Sequence, residues 1–382
     1  MHLGKIGLKV LLMKLKNFDI YKNKKVLVTG HTGFKGSWLT QWLLLLNAKV
    51  YGYALDPLTS PSLYQQLQNE NKIESNINDI RNFKSVKKFI QEIQPDIIFH
   101  LAAQPLVRES YDNPMYTLET NTIGTANVLE AVRQLSLSTN IIIITSDKCY
   151  DNKEWIFGYR ENDALGGFDP YSASKGAAEI VVSSWRNSFF NPDNFEIHGV
   201  KLASARAGNV IGGGDWSDDR IIPDCIRALQ KNKTIQIRNP LATRPWQHVL
   251  ESLGGYLLLG RKLLSDNTRD GIKNYSSAFN FGPYGSSNKP VEDLVNEVLN
   301  LWEGNWKYNK EDALHEAFLL NLNIDKATQL LNWTPVWNFE TTIKNTVEWY
   351  KKSYEDPDRI IELTNKQIED YSSSFFSNTI KY

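Results

Sequence analysis

The sequence is poor in cysteine and has no excess charge of either sign. Its two cysteines, Cys149 and Cys225, lie in no CxxC or Cys/His spacing, so we expect no disulfide framework and no metal site. Basic and acidic residues number 43 each, which gives no support for a nucleic-acid or membrane-surface partner. No apolar run reaches 18 residues, and the apolar stretch at residues 8–15 is interrupted by two lysines. We therefore expect a soluble protein of the reducing cytoplasm, in which residues 1–12 arise from start-site assignment.

Short apolar runs alternate with amphipathic stretches along the first half of the chain. This pattern is typical of a parallel sheet covered by helices, an α/β doubly wound (Rossmann) fold. The predicted strands are residues 25–29, 49–54, 73–78, 96–101, 141–145 and 199–207. The predicted helices are residues 36–46, 85–93, 113–135 with a kink near Gly124, and 171–189.

The regularity weakens after residue 212, which predicts a smaller, mixed substrate-binding domain. We divide the chain into an extension at residues 1–16, a dinucleotide-binding domain at 17–212, a substrate domain mainly at 213–352 and a tail at 353–382. Helices are predicted at 220–230 and 290–302, and short strands at 234–237 and 278–281. Segments near 245–282 are expected to return to the first domain, and the polar tail is expected to be a loosely held helix or coil.

Three glycines, Gly30, Gly33 and Gly36, follow the first predicted strand where a helix should begin. Glycine permits a tight turn and close approach of a ligand, and the amides of the next helix face a pyrophosphate. An acidic residue about 20 positions further on strengthens the prediction of a dinucleotide site. That residue, Asp56, would accept hydrogen bonds from a ribose diol and repel a 2'-phosphate, favouring NAD over NADP; the alternative is that it only starts a turn. Asp79-Ile80, after the third strand, would either cap a helix or contact adenine.

Tyr171 and Lys175 lie four residues apart on one predicted helix face. Tyrosine is a poor base at neutral pH unless a nearby cation stabilises its phenolate, and Lys175 would do so. Without the upstream glycine turn, this spacing would fit a surface tyrosine beside a solvated lysine better than a reacting pair.

The residues Thr145-Ser146-Asp147-Lys148 end the fifth strand, where a doubly wound sheet places its active site. A hydroxyl from Thr145 or Ser146 would orient a substrate. Asp147 and Lys148 add a proton donor and acceptor, which suits an elimination; the alternative is a solvated loop ion pair.

A further set of residues could bind a charged substrate. The arginine fork suits a diphosphate, although loop arginines are usually solvated. The set comprises Arg108, Asn209, Arg220, Arg244 and His248. His31 and Lys35, inside the glycine turn, would either reach ligand phosphates or face solvent.

Several longer motifs carry a resemblance to a known family. They are TGHTGFKGSW (29–38), HLAAQPLVRESY (100–111), TSDKCYDN (145–152), DPYSASKGAAE (169–179), RAGNVIGGGDW (206–216) and RPWQHVLE (244–251). From about residue 16 to 352 the chain resembles the CDP-glucose 4,6-dehydratases of the extended short-chain dehydrogenase/reductase superfamily.

The resemblance implies a redox-neutral dehydration with tightly held NAD. Tyr171, helped by Lys175, would take the C4 hydroxyl proton of CDP-glucose as hydride leaves C4, with Ser146 bonded to the C4 oxygen. Lys148 would remove the C5 proton while Asp147 protonates the departing C6 hydroxyl. In dTDP-glucose relatives a glutamate occupies the position of Lys148. A lysine accepts a proton only when neutral, so the alternative is that Lys148 stabilises an enolate.

The resemblance also implies the binding residues and the assembly. NAD would be held by Gly30, Thr32, Gly33, Phe34, Gly36, Asp56, Asp79, Ile80, Leu101, Ala102, Ala103, Tyr171 and Lys175. Gln104 would join the substrate-binding set, in which Arg244 and Asn209 hold the diphosphate. The family further implies a homodimer or homotetramer and a place in deoxysugar supply for surface polysaccharide such as lipopolysaccharide O-antigen. The rivals are another epimerase, 4-reductase or dehydratase of this fold, or a catalytically silent NAD-binding protein.

Overall fold

A computed structural model describes residues 16–309 and 319–379. Its centre is a seven-stranded, all-parallel sheet in the order β11-β6-β5-β4-β1-β2-β3. The strands are β1 (Lys25–Thr29), β2 (Lys49–Ala54), β3 (Glu74–Ile77), β4 (Ile97–His100), β5 (Asn140–Ile144), β6 (Lys201–Ala207), β7 (Val210–Ile211), β8 (Ile235–Ile237), β9 (Thr243–Pro245), β10 (Gln247–His248), β11 (Ala278–Phe281), β12 (Asn288–Pro290) and β13 (Trp306–Tyr308). The doubly wound prediction is confirmed, and the strand order reverses between β1 and β4, where such sheets bind ligands.

Helices cover both faces of this sheet, and each face has its own core. The helices are α1 (Phe34–Leu45), α2 (Leu63–Gln66), α3 (Phe83–Ile93), α4 (Val107–Asp112), α5 (Pro114–Leu118), α6 (Gly124–Leu135), α7 (Pro170–Ser188), α8 (Phe195–His198), α9 (Ile221–Gln230), α10 (Val249–Ser265), α11 (Arg269–Tyr275), α12 (Val291–Leu301), α13 (Asp325–Leu331), α14 (Phe339–Glu355) and α15 (Ile360–Thr379). Short 3₁₀ turns occupy Lys16–Tyr21, Asn69–Asn71, Asp147–Cys149, Pro192–Asn194, Gly285–Ser287 and Pro357–Arg359.

The central strands are apolar on both sides because each side has its own core. Val26 and Val28 point into one core, whereas Leu27 between them points into the other. This alternation follows from the two-residue period of a strand, and burial on both faces explains the continuous apolar runs of β4 and β5.

The predicted element bounds agree with the structure to within a residue or two, with one exception. The single helix predicted at 113–135 is divided into α5 and α6 by a π-helical turn, Glu119–Ile123, immediately before Gly124. The kink predicted there has this wide turn as its cause. The segment at 278–281 lies in the central sheet beside β6.

The prediction of a loosely held tail is wrong. In α15 the side chains of Ile368, Tyr371 and Phe375 are buried, and the Tyr371 hydroxyl donates to the Glu251 carboxylate of α10 at 2.8 Å. The Phe375 ring stacks on Phe18 near the chain's other end, at a centroid distance of 6.5 Å. Apolar residues three and four apart give this helix a buried stripe that its polar average composition concealed.

Two further expectations concern the first residues of the chain and membrane-spanning segments. Residues 1–12, which we attribute to start-site assignment, lie outside the described residues. In the described part, no helix combines the length and the apolar character needed to cross a membrane.

Candidate active site

The glycine turn between β1 and α1 is held by two close backbone contacts. Gly30 has φ +72°, and a Cβ there would lie 2.7 Å from the Ala102 nitrogen. A Cβ on Gly36 would lie 2.1 Å from the Gly30 carbonyl oxygen. Both glycines are therefore required by the protein's own packing.

Gly33 is different, because the protein leaves space beside it. A Cβ there would meet only the Gly30 carbonyl oxygen, at an ordinary 3.4 Å. Gly33 is also the N-cap of α1 and provides no side-chain cap, so the first amides of the helix face outward. Free space beside a helix N-terminus fits the pyrophosphate of a dinucleotide.

Several of the other residues predicted to bind the dinucleotide lie close to this turn. The Thr32 hydroxyl donates to the Leu55 carbonyl at 2.8 Å, which fixes the turn beneath the exposed Asp56. Leu101, Ala102 and Ala103 follow β4, and the Phe34 ring lies against Gly212.

Asn82, and not Asp79, is the N-cap of α3, because the Asn82 side chain accepts from the Ser85 amide at 3.1 Å. The capping alternative for Asp79 is therefore wrong, and its contact with adenine stays a prediction. The Asp79 carboxylate accepts from the Arg81 backbone at 2.8 Å and pairs with the Arg81 guanidinium at 2.7 Å. Ile80 is buried beneath Gly124.

Ser146, Asp147 and Lys148 form a tight turn directly after β5. The Ser146 hydroxyl accepts from the Lys148 amide and donates to the Asp147 carboxylate at 2.9 Å. Asp147 is only 2% exposed, and burial raises its pKa, although Lys148, the Ser146 hydrogen bond and Arg244 act to lower it. A carboxyl in this setting holds a proton more readily than a solvated aspartate does.

Tyr171 and Lys175 face the same site from the first turns of α7, and both are buried. Burial raises the pKa of Tyr171 to about 12, while the Ser146 hydrogen bond lowers it. Burial lowers the pKa of Lys175 to about 8, and its ammonium lies 6.0 Å from the centre of the Tyr171 ring. A hydroxyl, a phenol and an ammonium thus converge beside the Asp147 carboxyl.

Further cations make the site electropositive. Arg220 donates to Asp215 at 2.8 Å, and its charge lowers the pKa of Tyr171. Lys35, on α1, reaches the same place; burial first, and then Arg220 and Lys175, lower its pKa to about 7. Arg244 acts on Asp147 from β9. This arrangement favours an anionic ligand.

His248, predicted to bind substrate, lies instead in the core. It is fully buried between Trp38 and Trp337, and its Nδ1 accepts from the Leu250 amide at the start of α10. Burial lowers the pKa of His248 to about 3, so the ring is neutral. His31, expected to reach phosphates or solvent, is likewise buried and bonded to Ser75 at 2.7 Å.

Gln104 also has a different role from the one predicted. Its side-chain amide donates to the Leu106 carbonyl at 3.0 Å and to the Thr117 hydroxyl at 2.8 Å. These bonds hold the loop after β4 and leave the Gln104 side-chain nitrogen engaged within the protein.

Two other residues predicted to bind substrate lie in loops or at the surface. Arg108 pairs with Asp219 at 3.4 Å, and Asn209 lies between β6 and β7.

Behind the site is a polar network that the sequence analysis missed. The buried Glu179 and Arg206 form an ion pair at 2.8 Å, and Tyr150 donates to Asn280 at 2.8 Å. One signal was available, because Glu179 lies four residues after Lys175 on the same helix face. Among the described residues, no group of three or more His, Cys, Asp or Glu side chains is placed to hold a metal.

Comparison with known proteins gives matches over most of the chain. A family model described as GDP-mannose 4,6 dehydratase matches residues 27–346. A CDP-glucose 4,6-dehydratase from Salmonella typhimurium is 48% identical over 361 residues, covering 94% of this chain and 98% of the relative.

Two solved structures share the fold. An epimerase from Methanothermobacter thermautotrophicus has a TM-score of 0.73 at 24% identity, over 91% of this chain and 98% of its own. A dTDP-glucose 4,6-dehydratase from Bacillus anthracis, in complex with NAD, has a TM-score of 0.71 at 20% identity, over 87% and 98%.

Proposed function

The chain belongs to the GDP-mannose 4,6 dehydratase family. From its 48% identity to a CDP-glucose 4,6-dehydratase we propose that it converts CDP-glucose into CDP-4-keto-6-deoxyglucose and water. The enzyme is an NAD-dependent nucleotide-sugar 4,6-dehydratase. The observation that carries the proposal is the buried Asp147 carboxyl, inclined to keep its proton, beside Lys148 and in one site with Tyr171.

The glycine turn and its surroundings would hold the cofactor. Gly33 leaves room for the pyrophosphate, and Asp56 would accept from a ribose diol. When bound, NAD supplies reversible hydride transfer, so that C4 is oxidised and C6 is later reduced with no net consumption.

Oxidation at C4 depends on Tyr171 taking the hydroxyl proton. A phenol whose pKa is about 12 is a poor base, so its deprotonated form needs the cations that surround it. Lys175 and Arg220 supply positive charge, and Ser146 donates or accepts at the C4 oxygen. The 4-ketone that results acidifies the proton on C5.

Elimination then depends on the turn after β5. Lys148 takes the C5 proton or stabilises the enolate, and Asp147 donates its proton to the C6 hydroxyl, which leaves as water. Because burial keeps Asp147 inclined to hold a proton, this carboxyl suits the role of general acid. Arg244, Arg220 and Asn209 would bind the diphosphate.

Product analysis tests the proposal. The protein is incubated with CDP-, dTDP- and GDP-glucose in parallel, and the products are measured by mass spectrometry. We expect a product lighter by one water from CDP-glucose, without consumption of added NAD. An epimer, or net NADH turnover, would favour an epimerase or 4-reductase; bound cofactor without turnover would favour a silent binding protein.

We also propose a homo-oligomer formed through the helices at 114–135 and 170–188. Met115, Ile123 and Ile180 on these helices are each more than half exposed, which a subunit interface would explain. Sedimentation of an Ile180→Asp variant should show a smaller species than the wild type. An unchanged assembly would place the interface elsewhere.

The cellular setting is a further proposal. Both cysteines are buried and unpaired, which supports work in the reducing cytoplasm, where the product would supply deoxysugars for lipopolysaccharide O-antigen. Loss of the gene should then alter surface polysaccharide.

A further inference from the structure

A buried ion pair lies directly behind the active site. Glu179 and Arg206 are joined at 2.8 Å, and their side chains are only 2% and 4% exposed. Ser204 donates to the same Glu179 oxygen at 2.8 Å. A buried ion pair of this kind often adds little net stability compared with apolar side chains of similar size. The neighbouring groups that this pair holds in place therefore indicate its role better than its effect on stability does.

This pair is bonded to both ends of the turn that carries Ser146, Asp147 and Lys148. On one side, the Thr145 hydroxyl donates to the Glu179 carboxylate at 2.5 Å. On the other side, Arg206 donates to the Tyr150 hydroxyl at 2.8 Å. The Tyr150 hydroxyl then donates to Asn280 of β11 at 2.8 Å, so that end of the turn is also fixed to the sheet.

One member of the pair, Glu179, lies on the helix that carries the phenol and the ammonium, whereas Arg206 lies on β6. Glu179 follows Lys175 by four residues and Tyr171 by eight, so the three share one face of α7. The two groups of reacting side chains therefore rest on a single buried unit, although they come from different elements of the chain.

We propose that the Glu179–Arg206 pair is a positioning unit that fixes the turn Ser146–Lys148 relative to Tyr171 and Lys175. The inference rests on the proposed function, because it requires Asp147 and Lys148 to act in elimination and Tyr171 in oxidation. Displacement of reacting groups by about 1 Å can slow an enzyme by roughly 100-fold, so loss of one tether should affect the step that the turn performs.

The experiment compares Tyr150→Phe with Ser204→Ala. Each removes one hydroxyl from the same network, but only the first removes a tether of the turn. Thr145→Val removes the other tether and serves if Tyr150→Phe does not fold. Turnover of CDP-glucose is measured together with the absorbance of reduced nicotinamide during the reaction.

For Tyr150→Phe or Thr145→Val we expect kcat to fall by at least about tenfold and KM to stay within about twofold. Reduced nicotinamide should accumulate, because the turn carries both groups of the elimination, Asp147 and Lys148, but only Ser146 of the groups that act in oxidation. Ser204→Ala should keep kcat within about twofold of the wild type. Equal behaviour of tether and control variants, or no accumulation of reduced nicotinamide, would overturn the inference. Failure of the proposed function is distinguishable, since the wild type would then not dehydrate CDP-glucose at all.

Discussion

Replacing Asp147 by asparagine should separate the two halves of the reaction. The amide keeps the size of the carboxyl and a partner for the Ser146 hydroxyl, but it has no proton to give to the departing C6 hydroxyl. General acid catalysis contributes roughly 10²–10⁴-fold, equivalent to about 3–5 kcal/mol in the activation barrier. We expect kcat for dehydration to fall by this factor.

The C4 oxidation step should be affected much less, because Tyr171 and Lys175 perform it. Single-turnover measurements would follow reduced nicotinamide for oxidation and the loss of water for elimination. Asp151→Asn is the matched control: it is the same substitution nearby, at an aspartate that pairs with Lys153 at the protein surface, and it should leave both steps unchanged. Equal slowing of both steps, or full activity in the Asp147 variant, would refute the assignment of Asp147 as the acid.

Two further predictions concern the glycine turn and the buried carboxyl of Glu251, which accepts from Tyr371 of the C-terminal helix. Gly33→Ala should unfold at the wild-type temperature yet bind NAD at least about tenfold more weakly, because its methyl group enters the space left for the ligand. Gly36→Ala should instead be destabilised, because its methyl group clashes with the Gly30 carbonyl oxygen. Calorimetry and NAD titration measure both variants, and equal NAD affinity in Gly33→Ala and the wild type would contradict the first expectation. Burial raises the pKa of Glu251 from 4.5 to about 7. The contribution of the Glu251 proton to folding stability is therefore fully present below about pH 4.5 and is lost as the pH rises through about 7. The free energy of unfolding should fall by up to about 3 kcal/mol over this range. Glu251→Gln should remove this dependence from the free energy of unfolding in urea, and the same pH dependence in both proteins would show that another group causes it.

The sequence was sufficient to predict the sheet, and to predict that the proposed reacting residues lie in one site, because both have local signals. Strands such as β5 are continuous apolar runs, and the spacing of Tyr171 and Lys175 defines one helix face. The reacting turn follows β5 directly, so the topology rule for doubly wound sheets locates it.

The errors arose where a residue's role depends on distant partners. His248 looks like a ligand residue beside Arg244, yet its ring packs between Trp38 and Trp337, which are far away in sequence. Likewise α15 is polar on average, and its order depends on Glu251 and on Phe18 near the start of the chain. The apolar spacing of α15 is a local signal for a buried stripe, but no local pattern reports which distant residues cover it.

The origin of the hydrogen at C6 tests the central claim most directly. The protein is given CDP-glucose labelled with deuterium at C4, and the product is examined by NMR and mass spectrometry. We predict that the deuterium appears on C6 of the 4-keto-6-deoxy sugar, with one water lost and no net change in NAD. Deuterium that remains at C4 or accumulates in free NADH would contradict the account.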